Sequence, residues 1–302
     1  MTTPVPHDAP LGLQPPFHRL PDATRCGPVT LAVASLDRST AWYARTLGFA
    51  VRERSDGVAT MGAAHDDAVL LVLHEQPGAV PVPRGGRIGL FHVAWRMPTR
   101  TDFARLVRHV ADLGMPAASS DHHVSEALYL ADPDGLGVEV CCDRPRAQWR
   151  RSGRELVMVT EPLDVAALRE HDDFTPWTGA PAGTDVGHVH LAVGDLDAVR
   201  AFHFAALGLD LMVWRYPGAL FLAAGGYHHH LGANTWHARA PRADAGDARL
   251  LEWSLVLPDH AAVRAAADSV ASYRYAVTRH ADGSATCTDP FGIVVRLVPA
   301  PS

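Results

Sequence analysis

An α+β fold of four βαβββ units, paired into two open-barrel sheets, is predicted by three features of the sequence. A strand-like segment recurs, a helical pattern follows each copy, and a DPxG turn closes alternate copies. GPVTLAVASLD begins at Gly27 and GHVHLAVGDLD at Gly187, and self-similarity at a fixed interval means one folding unit used again. Both copies alternate apolar residues as a half-buried strand does. Units two and four open with GLFHVAWRMPTRTDFARLVRHVADLG and LLEWSLVLPDHAAVRAAADSVAS, each a strand followed by an amphipathic helix. They close with YLADPDGLGVEV and TCTDPFGIVVRL, which share a strand, a DPxG turn and a last strand.

The helix signals fall where the units need them. Asp37 and Asp197 stand where an N-cap belongs, and the Leu47-Gly48 and Leu207-Gly208 pairs return the chain to strands. Residues 1–24, rich in proline and without an apolar core, read as a mobile arm rather than a signal peptide. Residues 25–146 form a first domain of units one and two, and residues 186–300 a second domain of units three and four. Between them, 147–185 is a polar connector with one short helix from Pro162 to Glu170. Units of this kind bury their apolar sides by curving a sheet around an open cleft, with helices on its outer face.

Composition narrows the function. A chain of 302 residues with 47% hydrophobic and 20% charged residues can bury a sizeable core. The net charge of −6 and the absence of arginine runs argue against nucleic acid. There is no lysine, which removes Schiff-base chemistry. No segment is long and apolar enough to cross a membrane. The cysteines Cys26, Cys141, Cys142 and Cys287 fit neither a disulfide framework nor a paired CxxC site. The cytoplasm is the default location, and self-association is left open.

Aligning the units puts Pro28, His92, His188 and Glu252 at one equivalent position of the first strands. Aligning the two DPxG endings sets Glu139 opposite Arg296. His92, His188 and Glu139 together supply two imidazoles and one carboxylate, the set used by non-haem Fe(II) oxygenases. Two arrangements are open. Units two and three could meet, so that His188 completes His92 and Glu139; or each half could keep a partial site, with His74 in the first and one of His228 to His230 joining His188 and Glu252 in the second. The first is preferred because its three residues occupy equivalent strand positions and Pro28 then falls in a unit without metal. His190 shares a strand face with His188 and is an alternative ligand. In YHHHLG three consecutive strand residues cannot all point inward, so His228 and His230 are read as the face lining the substrate pocket, with His190 beside them. His122 and His123 point to opposite sides if extended.

These motifs resemble the vicinal oxygen chelate superfamily, also called the glyoxalase/bleomycin-resistance fold, and within it the four-module bacterial catechol 2,3-dioxygenases. The resemblance runs from Gly27 to Val298. It is carried by GLFHVAW, SDHHVSEALYLADPDGLGVEV, RPRAQW, GHVHLAV and AGGYHHHLGANTW. It implies an Fe(II) site that binds a catechol through both oxygens, with O2 as co-substrate; Zn, Mn or Ni could stand in for iron in a purified sample. It further implies His92 and Glu139 as ligands, His122 as acid/base and Tyr129 as its hydrogen-bonding partner. One departure stands out: better-known extradiol enzymes take all three ligands from one sequential pair of units, and no such pair is complete here. Other members of the superfamily are metal-dependent isomerases or lyases, or metal-free proteins that sequester antibiotics. The isomerases would be expected to use a second carboxylate.

Overall fold

The computed structural model describes residues 10–64 and 66–301. Unit one comprises β1 (Arg25–Val33), α1 (Leu36–Leu47), β2 (Phe49–Ser55), β3 (Val58–Ala63) and β4 (Leu71–Glu75). Unit two comprises β5 (Gly89–Arg96), α2 (Arg100–Asp112), β6 (Ala118–Asp121), β7 (Ser125–Ala131) and β8 (Gly137–Asp143). The connector folds a two-residue-per-strand ribbon, β9 (Arg151–Ser152) and β10 (Glu155–Leu156), and the short helix α3 (Val165–Arg169). Unit three has β11 (Asp185–Ala192), α4 (Leu196–Val199, widening into π turns over Arg200–Ala206), β12 (Asp210–Val213), β13 (Ala219–Ala223) and β14 (Leu231–Asn234). Unit four has β15 (Arg249–Leu257), α5 (His260–Ser272), β16 (Val277–Arg279), β17 (Ala285–Thr288) and β18 (Val294–Pro299). The four βαβββ units are thus present. Among the described residues no helix is long and apolar enough to cross a membrane.

The sheets do not follow the two halves of the chain. One has the order β16-β17-β18-β15-β1-β4-β3-β2 and the other β12-β13-β14-β11-β5-β8-β7-β6. Units one and four share the first, and units two and three the second, so the division into domains at 25–146 and 186–300 gives way to interleaved halves. In every unit the first strand lies parallel to the last, as in β1 with β4 and β5 with β8. Its other edge is free to pair, and those edges meet antiparallel: β1 with β15 and β5 with β11. Repeats alone cannot choose between the two pairings, because all four first strands offer the same kind of edge.

Helix starts lie two residues earlier than the sequence suggested. Ser35 caps α1, accepting from the Arg38 N–H, and Asp195 caps α4. Asp37 and Asp197 fall in the first turns, where their charge suits the helix dipole. Gly48, at φ 70°, ends α1 in the left-handed region as expected.

The N-terminal arm is anchored over residues 10–24; residues 1–9 lie outside the described part. Leu13 exchanges backbone hydrogen bonds with Leu211 of the edge strand β12, Leu20 is 1% exposed, and Arg19 donates two hydrogen bonds to Asp210, at 2.8 and 2.7 Å. An edge strand with free backbone groups and apolar side chains explains why a proline-rich arm is held.

Both DPxG turns use one device. The Asp132 carboxylate accepts from the Asp134 and Leu136 N–H groups, and Asp289 accepts in the same way from Phe291 and Ile293. The turns also brace the helix of the preceding unit. Tyr43 of α1 reaches Asp132 at 3.4 Å, and His203, its counterpart in unit three, reaches Asp289 at 3.4 Å. Asp134, whose side chain is fully buried, accepts from the Ala34 N–H at 2.9 Å and from Arg38. Replacing it with alanine (Asp134→Ala) strands that N–H and should cost about 1–3 kcal/mol, read as a lower urea midpoint at unchanged slope; an unchanged midpoint would show that the brace contributes nothing.

Candidate metal centre and cavity

The site lies on the inner face of the sheet shared by units two and three. Across its three central strands, His188 of β11, Ala94 of β5 and Glu139 of β8 form one row, with His188 paired to Ala94 and Ala94 to Glu139. His92 sits two residues before Ala94 on the same face. His188 and Glu139 therefore straddle a side chain that is only a methyl group, fully buried with Ala127 and Cys141. The small residue at 94 leaves room above the sheet for a fourth object between the three donors.

The donors converge. His92 Nε2 lies 3.0 Å from Glu139 Oε2, His188 Nε2 lies 3.4 Å from the same oxygen, and the two Nε2 atoms are 3.3 Å apart. An ion about 2.1 Å from each donor requires edges of about 3.0 Å in an octahedron and about 3.4 Å in a tetrahedron, so the set fits a divalent metal. All three residues are buried, and among the described residues they form the one cluster of His, Cys, Asp or Glu able to hold a metal. Glu139 Oε1 has no hydrogen-bond partner, which would be costly for a buried carboxylate without a cation. Burial raises the Glu139 carboxyl, but the two imidazoles overcome this and hold it well below its usual range. Burial pushes His92 down against the opposing pull of Glu139. An ionised carboxylate and a neutral imidazole are the forms that bind metal.

The preferred arrangement, with unit three completing unit two, is the observed one. The alternative fails at named positions. Glu252 lies in the other sheet, where Arg296 donates to it at 2.5 Å; Thr30 and Glu252 pair there as His190 and His92 do here. The equivalent of the metal centre is thus an ion pair beside Pro28. His74 is on β4 of that same sheet. His190 is not among the converging donors, since its Nε2 accepts from the Asn234 amide at 3.0 Å; the Asn234 oxygen is taken by the Trp236 N–H.

A cavity of about 260 Å³ covers the donors. Phe91, Met158, Tyr216, Phe221 and Trp236 make its walls, with His190 among them. His122 and Tyr129 line one side. His122 Nδ1 donates to the Val159 carbonyl at 2.6 Å, so its Nε2 accepts from the Tyr129 hydroxyl at 2.5 Å. His123 faces away, with φ 64°, and bonds Glu161. The connector supplies Met158, Val159 and Thr160, and Thr160 closes on Tyr216 at 2.7 Å; its polar sequence gave no sign of this role.

The histidine run in YHHHLG requires a correction. His229 lines the cavity, and His228 and His230 do not. The alternation was right and its phase wrong, because β14 begins only at Leu231 and the three histidines occupy a bend before it. His229 stacks on His188 with ring centroids 3.9 Å apart, and burial, aided by His188 and His228, holds it well below its usual pKa, as a neutral ring. His228 points to Asp143 and His230 to the Ala224 N–H. Cys141 is a buried free thiol on the site's floor, its pKa raised well above the usual value by burial.

Fold and donor set together define a metalloprotein with the 2-His-1-carboxylate centre of the Fe(II)-dependent dioxygenases of this fold. The chain belongs to the glyoxalase/bleomycin resistance protein/dioxygenase superfamily, whose family profile matches residues 25–140. It is 38% identical over 258 residues to a catechol-2,3-dioxygenase of Bacillus subtilis, covering 84% of this chain and 90% of that protein. Among solved structures, one from Bacillus subtilis superposes with a TM-score of 0.65 at 14% identity, covering 94% of this chain and 87% of the other. Glyoxalase I of Zea mays superposes at 0.56 with 18% identity, 92% of each chain being covered. At these identities the structural matches bear on the fold alone.

Two substitutions test the centre. Glu139→Gln should leave the circular dichroism spectrum intact and the metal content close to zero, whereas Glu252→Gln should leave metal content unchanged. Ala94→Val fills the floor between His188 and Glu139 and should weaken metal binding by about 10- to 100-fold, measured by competition with a chelator; undiminished affinity would mean that the metal does not sit above Ala94.

Proposed function

We propose that the chain is an extradiol ring-cleaving dioxygenase acting on a catechol with uncharged, apolar substituents. The observation that carries this reading is the convergence of His92, His188 and Glu139 at the base of an apolar cavity sized for one substituted ring. His92, His188 and Glu139 would hold Fe(II), which would supply Lewis acidity toward the diol and redox chemistry toward O2. Both oxygen atoms enter the product as a ring carbon–carbon bond beside the diol breaks, so no external reductant is needed.

The chain's own groups position the substrate and handle its protons. Phe91, Phe221 and Trp236 hold the ring and exclude water. His229, neutral and packed on His188, presents an imidazole to take a hydroxyl proton. On the other side Tyr129 holds a proton that it already shares with His122 Nε2, and the Val159 carbonyl fixes the His122 ring. That pair is suited to giving a proton to an oxygen that becomes basic as the ring opens. His190, tied to Asn234, is a wall for the ring edge.

The specificity follows from charge. Among the described residues lining the cavity there is one carboxylate, Glu139, and no arginine, so a carboxylated catechol would be desolvated without a guanidinium counter-ion. An isomerase reading has no second carboxylate at the donors, because Glu252 is bound to Arg296 in the other sheet.

Protein loaded anaerobically with Fe(II), then mixed with catechol or 3-methylcatechol and air, should take up one O2 per ring and form a yellow ring-opened product. No O2 uptake with metal bound would overturn the reading. With 3,4-dihydroxybenzoate kcat/KM should fall by about 100-fold or more. His122→Ala should keep its metal and lose about 10²-fold or more in kcat; metal loss would make His122 a ligand instead.

A further inference from the structure

Behind His229 runs a chain of polar groups, buried at the histidines and half-buried at Asp143 and Arg96, that metal binding does not use. Asp143, on β8 and on the same face as Glu139, accepts from His228 Nε2 at 2.9 Å through Oδ1 and from Arg96 Nη1 at 2.9 Å through Oδ2. Arg96 also donates to Asp185, at 3.0 and 2.5 Å. The Tyr227 hydroxyl stands 3.4 Å from Asp143 Oδ1. His228 Nδ1 and His229 Nδ1 are 2.7 Å apart, one residue from each other along the chain and both buried.

Only one proton arrangement satisfies this chain when both rings are neutral. The Asp143 carboxylate is an acceptor only, ionised because His228 and Arg96 hold it down at about 2 against burial, which opposes them. His228 therefore carries its hydrogen on Nε2, which leaves a lone pair on Nδ1. Two facing nitrogens at 2.7 Å need one donor, so His229 supplies it from Nδ1. The remaining His229 nitrogen, Nε2, is then a bare lone pair on the ring that lines the cavity.

We propose that Asp143 and His228 are positioning residues that lock His229 in the Nδ1–H tautomer, so that it meets the substrate as a proton acceptor. The proposal rests on the acid–base role given to His229 above for its use in turnover, but the tautomer itself is separately observable. It is the logic by which a carboxylate one imidazole away fixes the proton on a catalytic ring, lengthened here by a second imidazole.

Asp143→Asn distinguishes the lock from mere packing. Arg96 still requires an oxygen, so the new amide turns its NH2 toward His228, which must then accept at Nε2 and carry its hydrogen on Nδ1. That hydrogen displaces the one on His229 Nδ1, and His229 Nε2 becomes protonated. In Zn(II)-loaded, histidine-15N-labelled protein, with His229 assigned by His229→Gln, the wild type should show Nδ1 protonated and Nε2 bare; Asp143→Asn should show the reverse. With Fe(II), Asp143→Asn should lose about 10- to 100-fold in kcat at little-changed KM, while Asp185→Asn, which removes the other partner of Arg96, should lose little. An unchanged His229 tautomer in Asp143→Asn overturns the proposal, as does an equal loss in Asp185→Asn. A swapped tautomer at full turnover upholds the lock and overturns instead the acid–base role of His229. Should Asp143→Asn not fold, His228→Phe keeps the ring volume without its nitrogens, and a His229 still held as Nδ1–H there overturns the proposal equally.

Discussion

Two strands from opposite halves of the chain, Gly89–Arg96 and Asp185–Ala192, lie antiparallel at the centre of one sheet, and the site depends on their register. Val93 faces Val189 and His190 faces His92, with a bulge on either side of that stretch. A slip of one residue would turn every side chain to the other face, sending His92 and His188 into the helix-facing core. Val93, Trp95, Val189 and Leu191 on the opposite faces of these strands, each at most 1% exposed, resist such a slip. Hydrophobic burial that stabilises the fold thus also fixes the distance between two imidazoles.

The same pairing explains why, among the described residues, one sheet gathers a metal-donor set and the other does not. Four similar units make two similar sheets, and equivalent positions can be followed from one to the other. Where the second sheet has His92, His188 and Glu139, the first has Glu252, Pro28 and Arg296, and the acid and base neutralise each other at 2.5 Å. The first sheet also supports the second. Its helices and turns brace the functional sheet through buried contacts of the Tyr43–Asp132 and His203–Asp289 kind, which rigidify only if both members are in place.

Much of this was legible in the sequence because repeats carry register. Aligning first strands and DPxG turns brought His92, His188 and Glu139 to equivalent positions without any knowledge of which strands touch. What the repeat lacks is a statement of which edges meet, so the pairing of unit two with unit three remained one of two options until the β5–β11 ladder was seen. The YHHHLG run misled because period-two reasoning needs a strand, and the chain there bends before Leu231; His229 was therefore assigned to the wrong side. Asp143 could have been suspected, since it stands two alternations past Glu139 and must share its face. Nothing in the polar connector signalled that Met158 and Thr160 would close the cavity, because loops carry no periodicity to read.

The account stands or falls on where the metal sits. Crystals of the protein loaded anaerobically with Fe(II), measured at the iron edge, should give one anomalous peak per chain, above Ala94 and within about 2.0–2.3 Å of His92 Nε2, His188 Nε2 and a Glu139 oxygen. A peak coordinated by His190 or His229 in place of His188, or one beside Glu252 in the other sheet, would contradict a centre built by units two and three.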